Sequence, residues 1–429
     1  MSDGQTWPHP RAAWGMVALL TVAYLVSYVD RAILGLLIQP IKADLSLSDE
    51  QIGLVLGPAF AIFYATIGVP LGWLVDRRSR TRLIAAGIAL WSAATALSGL
   101  VRGFPQLFAA RMTVGVGEAV LSPAAFSMIG DSFPEERRAR PIAVYSMAIT
   151  LGTGLASLIG AVVLTWAKQS DGVEVPFLGE LAPWRLTFLA VGLPGLLLAA
   201  AFLFLRDPPR MSRAGIDANG FRDALRHVGS HAKEYALIVS IVAAMVIVAY
   251  SQGFLAAAFE RRWGWPPEYY AQWNGLSALI VGPAVYLWAG SYCDRLAAAG
   301  DRDAPRRIMA WGIALLVPAN ALAMLMPGPW IAFGLLVIGS AAISAISAVG
   351  VTALLAITPG QIRGQVVAMY YMAISLAGLL LGPTTVGILS TRVVGEDNLH
   401  LAVAAVPLIY ATVPAILALV FFVRRRSAD

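Results

Sequence analysis

Residues 72–80 read Gly72-Trp73-Leu74-Val75-Asp76-Arg77-Arg78-Ser79-Arg80, and the same frame returns in the second half of the chain as Gly290-Ser291-Tyr292-Cys293-Asp294-Arg295. Further upstream Gly57 recurs as Gly275, so Gly57, Gly72, Asp76 and Arg77 all repeat at one offset of 218 residues. A second block repeats in the same order: Arg138-Ala-Arg-Pro-Ile-Ala-Val-Tyr145-Ser-Met-Ala-Ile against Arg363-Gly-Gln-Val-Val-Ala-Met-Tyr370-Tyr-Met-Ala-Ile. The chain is therefore two related halves. Each copy of the Asp-Arg turn follows a long apolar run.

Those runs decide the class. Of 429 residues 58% are hydrophobic and 13% are charged, where about a quarter charged is usual for a soluble domain. A mean hydropathy of +0.72 says the same. Most of the surface must face lipid. A spanning helix needs about 20 mostly apolar residues, and twelve segments qualify: 13–38, 51–75, 83–102, 105–130, 139–167, 184–205, 235–258, 270–293, 307–326, 329–356, 364–390 and 402–423. The eighth is the least apolar, rich in Gly and aromatic residues. Pro70, Pro123, Pro194, Pro283, Pro318 and Pro383 fall inside spans, where neighbouring helices can satisfy the freed backbone groups. The first span carries charge and lacks a small-residue cleavage site, so it is expected to remain uncleaved.

Arg and Lys orient the spans. One set of loops holds Arg77, Arg78, Arg80 and Arg82, then Arg137, Arg138 and Arg140, then Arg206, Arg210, Arg213, Arg222, Arg226 and Lys233, then Arg295, Arg302, Arg306 and Arg307, then Arg363, and finally Arg424, Arg425 and Arg426. The alternate loops hold only Lys42, Arg102, Lys168, Arg261, Arg262 and Arg392, with Arg185 at a span edge. The positive-inside rule then puts both termini in the cytoplasm. The expected organisation is a cytoplasmic tail at 1–12, a six-helix bundle at 13–205, a cytoplasmic linker at 206–234, a second six-helix bundle at 235–423 and a tail at 424–429. The linker has an amphipathic pattern (Phe221, Leu225, Val228). The net charge of +6 belongs to these clusters and does not point to nucleic acid. Parallel six-span repeats predict a substrate path along the pseudo-two-fold axis, with binding near mid-membrane.

Charges inside spans are expensive and mark function by default. Four occur, all in the first half: Asp30, Arg31, Arg111 and Glu118. Arg111 and Glu118 are seven residues apart, on nearly one helix face and about 10 Å apart along the axis. Gly115 and Gly117 between them allow close approach by another helix. Asp30 and Arg31 point about 100° apart and cannot share one partner. Two acids and two bases sum to zero, as a buried cluster should. A purely structural ion pair is the simpler reading, but desolvation makes buried pairs poor stabilisers, which favours a transport role. The second half offers aromatics and amides instead, among them Tyr250, Gln252, Trp273, Asn274, Tyr286, Trp288, Asn320, Tyr370 and Tyr371. Tyr145 and Tyr370 match in the repeat and are taken as cavity residues.

Several chemistries are excluded. There is no Gly-x-x-x-x-Gly-Lys-Ser/Thr phosphate loop and no Gly-x-Ser-x-Gly elbow. His9, His227, His231 and His400 lie outside the spans without metal-ligand spacing. The single Cys293 permits no internal disulfide. No enzyme, cofactor or metal is expected.

The Gly72 to Arg80 loop resembles the signature of the major facilitator superfamily, with Ser79 where that family usually has Gly. The resemblance implies an all-α membrane fold of two pseudo-symmetric six-helix bundles and a cytoplasmic gate latched by Gly72, Asp76, Arg77 and Arg80, with Asp131 as an ion-pair candidate and Asp294 as the repeat of Asp76. Tyr28-Val-Asp30-Arg31, Ile41-Lys-Ala-Asp-Leu-Ser-Leu-Ser-Asp49, Arg111-Met-Thr-Val-Gly115-Val-Gly117-Glu118-Ala119 and Ser127-Met-Ile-Gly-Asp131-Ser-Phe-Pro134-Glu-Glu-Arg137 are similar to the spinster group, whose members resemble sphingosine-phosphate and lysophospholipid transporters. That implies a monomeric secondary transporter in a bacterial inner membrane. It implies a lipid-like anionic substrate, protons carried by Asp30 and Glu118, and Arg111, with Arg31, meeting the head group. The Gly-Glu-Ala and Tyr-x-Asp-Arg elements also occur in anion–cation symporters, so a small organic-anion symporter or a drug exporter is the alternative. The expected cycle starts with Arg111 paired to Asp30 or Glu118.

Overall fold

The structure is a computed structural model that describes residues 7–134, 137–169, 174–175, 179–210, 218–301 and 303–423. Arg213, Arg302 and Arg424 to Arg426 lie outside the described residues. Twelve long helical segments follow one another: α1 (Pro10–Leu36), α2 (Asp49–Leu56 and Pro58–Val75), α3 (Arg80–Ser98), α4 (Phe104–Glu118 and Leu121–Ser132), α5 (Ala139–Gln169) and α6 (Pro183–Phe204), then α7 (Ala232–Ser251, continued by Leu255–Trp263), α8 (Pro267–Ala298), α9 (Ala304–Ala323), α10 (Pro329–Ala356), α11 (Arg363–Leu389) and α12 (Leu399–Ala418). Eleven are long and apolar enough to cross a membrane. The twelfth, α9, falls short because Arg306, Arg307 and Asn320 dilute an otherwise apolar 20-residue helix.

Local sequence explains where helices break. Pro58 has no N–H to donate and opens the second half of α2 after Gly57. In α4 the helix lapses after Glu118 and restarts at Leu121, because Pro123 cannot donate to the carbonyl of Ala119 and its ring crowds that carbonyl. Pro407 and Pro414 also lie inside α12. They belong to the intrahelical prolines although the span reading did not single them out. Two shorter helices, Ile38–Leu45 and Ala218–Ser230, and a ribbon pairing Glu174–Val175 with Gly179–Glu180, complete the fold. The helix at 218–230 occupies the predicted amphipathic stretch; among its described side chains Ala224 is buried and Leu225 is exposed, while the Phe221 side chain lies outside those described.

The chain forms two compact units. Unit 1 comprises Met1–Leu47, Leu54–Ala214 and Pro267–Leu276; unit 2 comprises Ser48–Gly53, Gly215–Pro266 and Ser277–Asp429. The starts of α2 and α8, Ser48–Gly53 and Pro267–Leu276, are grouped apart from the rest of their helices. Those starts, Asp49 and Pro267, are separated by the same offset as the repeated motifs. In unit 1, α1 packs on α5, α3 on α6 and α3 on α4; in unit 2 the counterparts α7 on α11, α9 on α12 and α9 on α10 recur.

Glycine makes the tightest of these contacts possible. A Cβ on Gly117 would stand 2.7 Å from the carbonyl oxygen of Gly87 and 2.9 Å from the backbone nitrogen of Trp91; one on Gly115 would stand 2.6 Å from the carbonyl of Phe60. These partners are backbone and cannot swing aside. Gly117→Ala is expected to destabilise the protein by about 1–3 kcal/mol, read as a lower unfolding temperature in detergent. An unchanged temperature would mean that α3 and α4 separate at little cost.

Outward, α6 displays Leu197 and Phe204 at 78% and 88% exposure, and α8 displays Ile280 and Leu287. Large contiguous apolar faces of this kind are sustained by lipid rather than water. The protein is an integral membrane protein.

Candidate functional site

In unit 1 all four intramembrane charges come together where α1, α2, α3 and α4 meet. Asp30, Arg111 and Glu118 are buried, at 0%, 2% and 2% exposure. Arg111 and Glu118 share a face of α4 but lie too far apart along it to touch, so each meets a residue of α1. Arg31 donates to Glu118 through Nε at 2.8 Å and also through Nη2. Arg111 lies within Coulombic reach of the Asp30 carboxylate and donates to the Asp30 carbonyl at 3.4 Å. Of the two expected partners of Arg111, Asp30 is the residue it bonds, through the backbone carbonyl, while Glu118 is bonded by Arg31. The cause is the 100° turn between consecutive helix residues, which aims Asp30 toward Thr95 of α3 and Arg111 of α4, and Arg31 between the α2 rings and Glu118 of α4.

Arg31 is also the accessible cation. Its side chain is 20% exposed against 1% for that of Glu118. Its guanidinium stands 4.6 Å from the Phe60 ring centre, 5.6 Å from that of Tyr28 and 5.7 Å from that of Tyr64. Such rings attract a cation without neutralising it. Tyr145 continues the aromatic wall: it stacks on Tyr24 at 5.0 Å, meets Phe126 edge-on and faces the Ser122 hydroxyl at 3.4 Å. Tyr370 lies in unit 2, buried edge-on against Tyr371.

The motif at the α2–α3 turn divides. Arg80 is fully buried within unit 1. Its Nε donates to Asp207 at 2.8 Å, its backbone N–H donates to the other Asp207 oxygen at 2.7 Å, and Nη1 reaches Ser127 at 3.0 Å and Asp131. Nη2 donates to the Pro208 carbonyl. The suggested Asp131 partner is present; Asp207 was not foreseen. Asp76 and Arg77 are exposed; Arg77 lies 3.9 Å from the Trp73 ring centre, and the Asp76 carboxylate accepts no hydrogen bond from a described residue. A Cβ on Gly72 would meet nothing within 4 Å. Arg210 donates to the carbonyls of Val75, Asp76 and Arg78, closing the C-terminal end of α2. Asp294 is exposed in unit 2.

Unit 2 holds a second ionic centre that the sequence did not single out. Asp49, fully buried, receives both Nη atoms of Arg261 at 2.6 and 2.7 Å and the Ser390 hydroxyl at 2.6 Å. The Asp49 backbone N–H donates to Glu396 at 2.7 Å, and Arg392 grips Glu50 with two bonds. Asp49 stands in a quoted motif and Arg261 was counted as a loop charge; their sequence separation hides the pairing. Unit 2 also contains a cavity of about 500 Å³ lined by Trp288, Tyr292, Trp311 and Arg307, the last paired to Asp301.

Comparisons with known proteins give the family and the fold. The sequence profile described as Major Facilitator Superfamily matches residues 20–299. An MFS-type efflux pump of Mycolicibacterium smegmatis is 30% identical over 390 residues, covering 89% of this chain and 85% of the relative. Protein spinster of Drosophila melanogaster is 28% identical over 200 residues, 47% of this chain and 31% of that protein. The crystal structure of a bacterial homologue of the human lysosomal transporter Spinster, inward-facing and unoccupied, superposes with a TM-score of 0.84 at 26% identity, covering 97% of this chain and 99% of that one.

Proposed function

The chain belongs to the Major Facilitator Superfamily and is a spinster-like membrane transporter rather than an enzyme, and from that premise we propose that it is a proton-coupled secondary transporter of an amphipathic anionic, lipid-like substrate. One observation carries the reading: the half-buried Arg31, set among aromatic rings, has a sealed carboxylate as its ionic partner. While Glu118 is charged it occupies Arg31. A proton on Glu118 cancels that attraction and frees the guanidinium for a phosphate or carboxylate head, with the partly exposed rings of Tyr28 and Tyr64 beside the tail. Loss of the proton restores the pair and expels the anion. Substrate and proton are then coupled through one side chain, and alternating access delivers them across the membrane. Arg111 keeps its partner Asp30 and sustains the charge balance of the cluster.

Both termini face the cytoplasm of a bacterial inner membrane, and a monomer suffices. Asp76 and Asp294, exposed at the ends of α2 and α8, act as latches in a state where those ends are closed. The mycobacterial relative, an efflux pump by name, favours a second reading, export of a small drug-like compound. Competition in proteoliposomes separates the two. Lysophosphatidylglycerol is expected to inhibit uptake of a fluorescent lysolipid at least ten-fold better than small carboxylates or cationic drugs, and the inhibition should deepen as pH falls. Equal inhibition by the small compounds would remove the lipid reading.

A further inference from the structure

Six buried side chains of unit 1 carry polar atoms that make no well-formed hydrogen bond to another described residue: Ser27 Oγ, both Asp30 carboxylate oxygens, Trp91 Nε1, Thr95 Oγ1, Arg111 Nε and Glu118 Oε1. They come from α1, α3 and α4. Buried polar atoms without partners are costly, and a set of them in one place calls for a shared ligand. The hydroxyls are the informative members. On the same three helices Thr21, Ser98 and Thr113 each donate to the carbonyl four residues back, at 2.8 to 2.9 Å. That is the ordinary resting place of a helical hydroxyl. Ser27 and Thr95 do not take it. Each is turned instead toward a carboxylate, Thr95 within reach of Asp30 and Ser27 within reach of Glu118, at longer range than a well-formed hydrogen bond.

The ligand class follows from charge. Asp30, Glu118, Arg31 and Arg111 are within Coulombic reach of one another and sum to zero. An added cation would meet two guanidiniums, and an added anion two carboxylates. The open sites mix donors (Arg111 Nε, Trp91 Nε1), acceptors (three carboxylate oxygens) and hydroxyls that are both. Water is the neutral ligand that serves all three, given two to four polar partners.

We propose that Ser27, Asp30, Thr95 and Glu118 hold a short string of buried water inside unit 1, and that this string passes a proton between Asp30 and Glu118. The O–H bond on the Asp30 carboxyl breaks, the proton is handed along the water, and an O–H bond forms on Glu118 Oε1. Asp30 regains its charge beside Arg111, and the neutral Glu118 releases Arg31. No further reactant is needed. The step rests on the proton-coupled reading above and assigns Ser27 and Thr95 as positioning residues.

Two measurements on the full chain test it. X-ray hydroxyl-radical footprinting of the detergent-solubilised protein generates radicals from bound water. Residue-resolved oxidation at Trp91 and Thr95, both fully buried on α3, is expected; no labelling at either would overturn the water string. In proteoliposomes, Thr95→Val keeps the shape and removes the hydroxyl. The ratio of pH-gradient-driven uptake to counterflow of fluorescent lysophosphatidylglycerol is expected to fall at least ten-fold, with Ser27→Ala acting in the same direction and Thr95→Ser restoring the ratio. A Thr95→Val protein that keeps the wild-type ratio overturns the relay alone. Wild-type transport that ignores an imposed pH gradient overturns the relay together with the proton-coupled reading, while footprinting still judges the water. Should Thr95→Val fail to fold, Ser27→Ala and the footprint decide.

Discussion

Transport by a Glu118→Gln protein is expected to lose its dependence on pH while the protein stays folded. Glutamine has the shape of glutamate and still offers Arg31 an acceptor oxygen, but it carries neither charge nor exchangeable acid. In the wild-type protein the sign is definite. A proton on Glu118 frees Arg31, so an anionic head binds better as pH falls and is expelled as pH rises. The amide imitates the protonated form at every pH, so the variant should bind its anion at high pH as the wild type does at low pH and should no longer concentrate it against a gradient. The stability cost is about 1.5–3 kcal/mol, the range for a hydrogen bond to a charged group. It stays in that range because the Arg31 side chain is partly exposed and keeps the Phe60, Tyr28 and Tyr64 rings around it. Uptake across a pH series, paired with unfolding in detergent, measures both effects. A pH profile parallel to that of the wild type would remove Glu118 from the coupling.

Arg80→Ala is expected to produce the largest loss of stability of any single change considered, about 3–5 kcal/mol, because it takes a buried counter-charge from two acids. Arg80 is enclosed completely and is bonded to both Asp131 and Asp207. Its fork also serves Ser127 and the Pro208 carbonyl, so it ties the start of α3 to the end of α4 and to the segment after α6. Arg80→Lys should recover little, since a single ammonium cannot meet that spread of acceptors. Asp76→Asn, by contrast, alters an exposed side chain and should move the unfolding temperature hardly at all, within about 0.5 kcal/mol. If Arg80→Ala unfolds at the wild-type temperature, Arg80 is a gate residue and not a brace. If Asp76→Asn is neutral for folding yet slows transport, its partner belongs to another state of the cycle.

The contrast within one motif shows how far spacing reads. Gly72, Asp76, Arg77 and Arg80 occupy one signature, yet only Arg80 is buried and ion-paired within its own unit. Spacing along a helix end specifies which residues are near the boundary, and burial is decided by what the end packs on. Asp207 and Asp49 were illegible as partners for a related reason. Each acid lies far in sequence from the Arg it meets, and no local pattern in the chain reports a contact at such separation.

Hydropathy, the positive-inside count and the 218-residue repeat were enough to specify an all-helical membrane protein of two related halves, because lipid forces every backbone group to be satisfied within a span and leaves the apolar lengths visible in the chain. The four intramembrane charges were visible for the same reason, since hydrocarbon tolerates so few. Which guanidinium meets which carboxylate was settled only by packing. Gly115 and Gly117 bring α2 and α3 against α4, and the turn between Asp30 and Arg31 sends one side chain to each side of that contact. Pairing in a neutral cluster is a matter of ångströms and angles between helices, and the order of residues along one helix does not contain them.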